Sequence, residues 1–134
     1  MKKKNSCLEF GTERNLFLLQ QFRKSIAKQS HISLQKAFKE AADSPAPRFW
    51  VSEDRATEVI SKMLQGQDPT PDMLPERARM YREICRRVRS LKRSRPDEPL
   101  CRLVFSVVNS PAPASYLSPN RIKTIVYETK RKSK

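Results

Sequence analysis

Apolar residues recur at i, i+3, i+4, i+7 and i+8 in several separate windows, the pattern of helices that bury one face. Leu34, Ala37, Phe38, Ala41 and Ala42 form one such stripe, and Leu100, Leu103, Val104, Val107 and Val108 form another. Ala56, Val59 and Ile60 keep a helical phase, as do Ile122, Ile125 and Val126. Segments rich in Pro, Ser and Gly break the pattern between windows. The spacing predicts a mainly α chain with helices near 12–28, 33–43, 53–65, 76–93, 98–109 and 119–131.

The two halves of the pattern superimpose at a constant offset. Ser44-Pro45-Ala46-Pro47 returns 66 residues later as Ser110-Pro111-Ala112-Pro113. The same offset lays the two long stripes on each other, and Trp50-Val51-Ser52 on Tyr116-Leu117-Ser118. It also lays Arg55 on Arg121, and Leu18, Leu19 and Phe22 on Ile84, Cys85 and Val88. The expected architecture is therefore two tandem three-helix units, each helix, helix, extended turn, helix. Residues 10–65 and 75–131 form the units and 66–74 the linker, with a basic arm at 1–9 and a basic tail at 132–134; the units pack as one domain. The lysine-rich ends, Met1–Lys4 and Lys130–Lys134, are expected to be mobile tails.

Local chemistry supports these boundaries. Ser33 and Ser52 are suited to cap helices, because a serine oxygen accepts free N–H groups of the first turn. Ser118-Pro119 adds a proline at the first helical position, where no N–H is needed. The prolines of each Ser-Pro-Ala-Pro step stop the preceding helix and hold the chain extended. Arg48-Phe49-Trp50-Val51 and Ala114-Ser115-Tyr116-Leu117 are short and β-prone, so a two-stranded antiparallel pairing between the repeats is compatible with the pattern. Such a pairing would let each unit complete the other's core.

The run from Pro45 to Ser52, with Arg48-Phe49-Trp50-Val51-Ser52, and the later Tyr116-Leu117-Ser118-Pro119 carry a resemblance. In them the chain resembles uncharacterised small basic proteins of Bacteroides-type bacteria and their mobile elements, over most of its length. That resemblance implies no activity.

Charge changes the picture more than size does. The 134 residues carry a formal charge of +14, from 28 Lys and Arg against 14 Asp and Glu. Residues 73–134 hold sixteen of those basic side chains and five of the acidic ones, whereas residues 31–72 hold five and seven. A partner-facing surface is therefore expected mainly in the second unit. Cys7, Cys85 and Cys101 lie far apart, and the single histidine, His31, is near none of them, so neither a metal site nor a disulfide framework is implied. No apolar run approaches the ~18–20 residues of a membrane helix. Met1-Lys2-Lys3-Lys4 is not followed by the apolar segment of a secretory signal, so the reading is a cytoplasmic protein. No nucleophile–base pair or spaced carboxylate pair occurs; a non-enzymatic protein without cofactor or small-molecule substrate is expected.

The fourth helix carries the candidate chemistry. On a helical wheel Arg79, Arg82, Arg86, Arg89 and Arg93 fall within about 80° of one another, while Tyr81, Ile84, Cys85, Val88 and Leu91 occupy a separate face. Guanidinium groups stay charged at physiological pH and match phosphate oxygens. Asn120 and Arg121 open the sixth helix with residue types that read base edges. Lys123, Lys130 and Arg131 follow on the same helix. These ten positions point to a nucleic-acid-binding protein that takes double-stranded DNA through an arginine-rich helix and a helix-turn-helix-like second unit. The alternatives are RNA, or a helical adaptor docked on an acidic protein. A solvated helix face is the bland reading of the arginines. Trp50 and Tyr116 are expected as core anchors, and Arg55 and Arg121 as structural partners of the extended turns.

Overall fold

In a computed structural model of the protein, which describes residues 2–132 with side chains from residue 10 onward, six α-helices follow one another. They are α1 (Lys2–Lys28), α2 (Leu34–Asp43), α3 (Glu53–Leu64), α4 (Pro75–Ser94), α5 (Leu100–Val108) and α6 (Pro119–Lys132). A 3-10 turn, Thr70–Asp72, lies between α3 and α4. Among the described residues there is no strand, only one isolated antiparallel bridge.

Five of the helices lie close to their expected ranges. α1 differs, because the N-terminal arm is helical backbone from Lys2 rather than a tail. No proline occurs in residues 2–28, and a helix once nucleated extends one hydrogen bond per residue. Lys130, Arg131 and Lys132 likewise belong to α6; residues 133–134 lie outside the described residues. All three expected serine caps form: Ser33 Oγ accepts from Lys36 N at 3.3 Å, Ser52 Oγ from Arg55 N at 3.2 Å, and Ser118 Oγ from Arg121 N at 3.2 Å. α3 ends with Gly66 at φ +90, where Gln67 N donates to Lys62 O and Gly66 N to Met63 O. A glycine takes that left-handed conformation without steric cost.

The helices do not pack in the order of the chain. α1, α2 and α6 contact one another, and α3, α4 and α5 form a second group. α6 therefore covers Leu18, Leu19, Phe22, Phe38 and Ala41 with Ile122, Ile125 and Val126. α3 brings Ala56, Val59 and Ile60 to a cluster with Tyr81, Ile84, Val88, Leu103 and Val104. Phe17 packs against both clusters.

Two extended segments make this exchange. Ala46 N donates to Ala112 O at 2.9 Å and Ala112 N to Ala46 O at 2.9 Å. Flanking bonds run from Phe49 N to Val108 O and from Ser115 N to Ala42 O, at 2.9 and 3.0 Å. Adding or subtracting 66 turns each of these four bonds into another of the set. The expected pairing at Arg48–Val51 and Ala114–Leu117 is not the one formed: the bridge joins Ala46 to Ala112, and residues 48–51 and 114–117 are irregular. Within this irregular stretch Arg48 supplies local partners, its guanidinium donating to Phe49 O at 2.9 Å and Val51 O at 2.7 Å.

Ile122 is fully buried on α6. Ile122→Ala should cost about 2–5 kcal/mol of stability, measured by urea unfolding. In native-state hydrogen exchange, protection should fall in α1 and α2, which α6 contacts, before it falls in α4 and α5.

Candidate functional site

Proline at the first helical position starts α4, and helical periodicity then splits its surface. Ala78, Tyr81, Ile84, Cys85 and Val88 are buried, while Arg79, Arg82, Arg86, Arg89 and Arg93 are all exposed. The structure thus places the five arginines on one outward side, but it does not leave them equally free. Arg86 forms a forked pair with Glu83, at 3.1 and 2.6 Å, and Arg87 reaches the same carboxylate at 2.7 Å. Arg82 Nη2 donates to Thr70 Oγ1 at 3.1 Å, in a linker where Thr70 also donates to Asp68. Arg79, Arg89 and Arg93 have no hydrogen bond or ion pair with any described side chain.

Arg87 was not among the expected site residues, and its position explains why it is separate. It is half-buried, lies 5.1 Å over the Phe49 ring and donates to Pro111 O at 2.8 Å. It therefore fastens α4 to the second extended segment. Glu83 stands three residues from Arg86 and four from Arg87, the spacing at which helix side chains meet; that signal was present in the sequence.

On α6, Asn120, Arg121, Lys123, Lys130 and Arg131 are exposed. Lys130 Nζ rests 5.7 Å over the Phe22 ring. The helix α6 packs on α1 and α2, whereas α5 packs on α3 and α4. The expected helix-turn-helix relation between α5 and α6 is not formed, because the ten-residue connection of residues 109–118 carries α6 across to the other group. Nor do Arg55 and Arg121 clamp the extended turns. Arg55 pairs with Glu58 at 3.3 Å and lies beside the buried Tyr81 hydroxyl. Trp50 does pack in the core, against Phe10 and Phe17, and Tyr116 stacks on Phe49 with ring centroids 6.0 Å apart.

Tyr116 adjoins the arginine side of α4. Burial pushes its phenol above the ordinary value and the Glu83 carboxylate adds to this, against the pull of Arg87, Arg79 and Arg86. Glu83 shifts the other way: its hydrogen bond from Arg86 leads the causes that hold its carboxyl below the ordinary value, with Arg87 adding to it against partial burial.

Among the described residues no group of three or more His, Cys, Asp or Glu is placed to hold a metal ion. None of the described helices is long and apolar enough to cross a membrane. No family model, curated protein or solved structure matches the chain.

The lowered Glu83 pKa makes a signed prediction. Its stabilisation is complete above the unfolded glutamate pKa and is lost as pH falls through the lower folded value. Glu83→Gln should be less stable than the parent by up to about 1 kcal/mol at pH 7, the range of a partly exposed ion pair. Urea midpoints of the two proteins should converge on acidification below the carboxylate range.

Proposed function

We propose that the protein is a duplicated three-helix unit whose second half binds nucleic-acid phosphates along the outward side of α4, with double-stranded DNA as the main ligand. The observation that carries this reading is the state of Arg79, Arg89 and Arg93: exposed, and without a hydrogen bond or ion pair among the described residues. From Arg79 to Arg93 an α-helix rises about 21 Å, enough to pass several successive phosphates.

The duplication supplies a control within the molecule. At the 66-residue offset, Arg79, Arg82, Arg86, Arg89 and Arg93 correspond to Glu13, Leu16, Gln20, Arg23 and Ala27 on α1, which are also exposed. One position in five is arginine there. α1 takes the equivalent place against α2 and α6 without a cationic row, so the unit does not require one in order to fold. A side chain that folding does not require, and that the protein's own carboxylates do not neutralise, is available to an external anion.

Arg82 and Arg86 contribute less on this reading, because Thr70 and Glu83 already hold them. Asn120, Arg121 and Lys123, exposed near the start of α6, are further contacts on this reading. Affinity that comes from displaced counterions depends steeply on salt, by about −0.9 in log–log slope per phosphate contact on duplex DNA.

Fluorescence anisotropy with a labelled duplex over a salt series tests the proposal. Replacing Arg79, Arg89 and Arg93 by alanine should flatten the slope by about 0.9 for each phosphate no longer neutralised. Stability should stay within about 0.5 kcal/mol, as for exposed side chains without partners. A parent protein whose binding ignores salt would sink the reading.

A further inference from the structure

The two helix groups enclose a cleft of about 600 Å³ where α1 and α6 face α3 and α4. Small-molecule sites typically occupy about 300–1,000 Å³. Arg14, Arg55, Arg77, Arg121 and Lys132 line it, and none of the described lining residues is acidic. Glu58, which pairs with Arg55, lies outside the lining. Arg14 is engaged by Asn15 and Phe10 and Arg55 by Glu58, which leaves Arg77, Arg121 and Lys132 as cations that solvent or an anion must answer.

A second and independent observation falls on the same walls. Among the described residues two buried side-chain polar atoms lack a hydrogen-bond partner, Trp50 Nε1 and Ser115 Oγ. Both residues line this cleft, and they are only 7% and 2% exposed. An unmet buried donor costs about 1–3 kcal/mol, and the described residues supply neither group with a partner. A third feature adds to this. Tyr116, also in the lining, has φ +57, a left-handed backbone that an aromatic residue rarely adopts. Its counterpart 66 residues earlier, Trp50, has no positive φ. Finally, Arg121 stands in the first turn of α6, which has no acidic residue to offset the positive end of the helix.

We infer that the cleft binds an organic phosphate carrying a flat ring, of the nucleoside-monophosphate class. Arg77 and Arg121 hold the phosphate, with Arg55 beside them. Tyr116, half-buried in the lining, offers aromatic surface to the ring, and the orphaned Trp50 Nε1 and Ser115 Oγ gain an acceptor. This site differs in kind from the outward side of α4, which is one face of a convex helix and meets an extended polyanion. The inference does not depend on α4 binding DNA. It revises the expectation that no small molecule is involved, because the cleft is made by groups far apart in sequence.

Trp50 is the single tryptophan of the chain, so its emission reports on the cleft directly. The protein should be titrated with a nucleoside 5′-monophosphate, the unphosphorylated nucleoside and inorganic phosphate, with calorimetry reading binding whether or not the emission moves. The monophosphate should bind at least tenfold more tightly than either of the others. Arg77→Ala with Arg121→Ala should weaken it at least tenfold without changing the circular dichroism melt. The variant lacking Arg79, Arg89 and Arg93 should bind it as the parent does. Competition by an oligonucleotide with a 5′-phosphate, but not with a 5′-hydroxyl, would place the same chemistry at a strand end. Competition by neither would leave the free nucleotide as the ligand. The inference is overturned if the monophosphate binds no better than inorganic phosphate. It is equally overturned if only loss of the α4 arginines weakens it, since the DNA reading could then stand alone.

Discussion

The reciprocal hydrogen bonds between Ala46 and Ala112 are the constraint on which the arrangement rests. In each Pro-Ala-Pro step the prolines have no N–H, so the alanine carries the only backbone donor of the three residues. Each of those donors is spent on the other segment's alanine, at 2.9 Å. Proline also restricts the residue before it to extended backbone, which keeps both segments open where they meet. The meeting point is buried, with Ala46 and Ala112 3% and 2% exposed. A larger side chain at either position would have to find volume in a closely packed interior.

From this crossing the rest follows geometrically. A chain held extended past Ala46 cannot fold back on α2, so α3 is delivered to α4 and α5; the same geometry sends α6 to α1 and α2. The two groups reach similar burial with different materials. α2 presents Ala37, Ala41 and Ala42 where α5 presents Leu103, Val107 and Val108. The lost volume is made up by aromatics, with Phe22 stacked on Phe38 at 5.0 Å and Tyr127 edge-on to Phe38 at 6.0 Å. The seam between the groups is where the cleft opens, and both extended segments contribute to it.

The surplus of positive charge is divided by this architecture. Some arginines are structural: Arg48 satisfies carbonyls of an irregular segment, and Arg87 reaches Pro111 while sharing Glu83 with Arg86. Others converge on the cleft. A third set, Arg79, Arg89 and Arg93, faces outward from α4. A count of arginines treats these alike, although burial and partners give them different work. The strongest polyanion surface is smaller than the row of five suggests, and the cleft holds cations that the row excludes.

The sequence by itself determined five of the helices and α1 from residue 12 onward, the serine caps, the break at Gly66 after α3 and the outward direction of the α4 arginines. All of these depend on residues within a few positions of each other, through periodicity, capping hydrogen bonds and backbone sterics. The pairing Glu83–Arg86 was legible on the same grounds. Tertiary structure alone decided that α6 lies on α1, that the bridge forms at Ala46 and Ala112 rather than two or more residues later, and that Arg77 and Arg121 line one cleft. Arg77 has no local mark, since it falls off the arginine row of its own helix. These outcomes depend on which apolar faces meet across long separations, where many helices present similar stripes and only the crossing of two extended segments chooses among them.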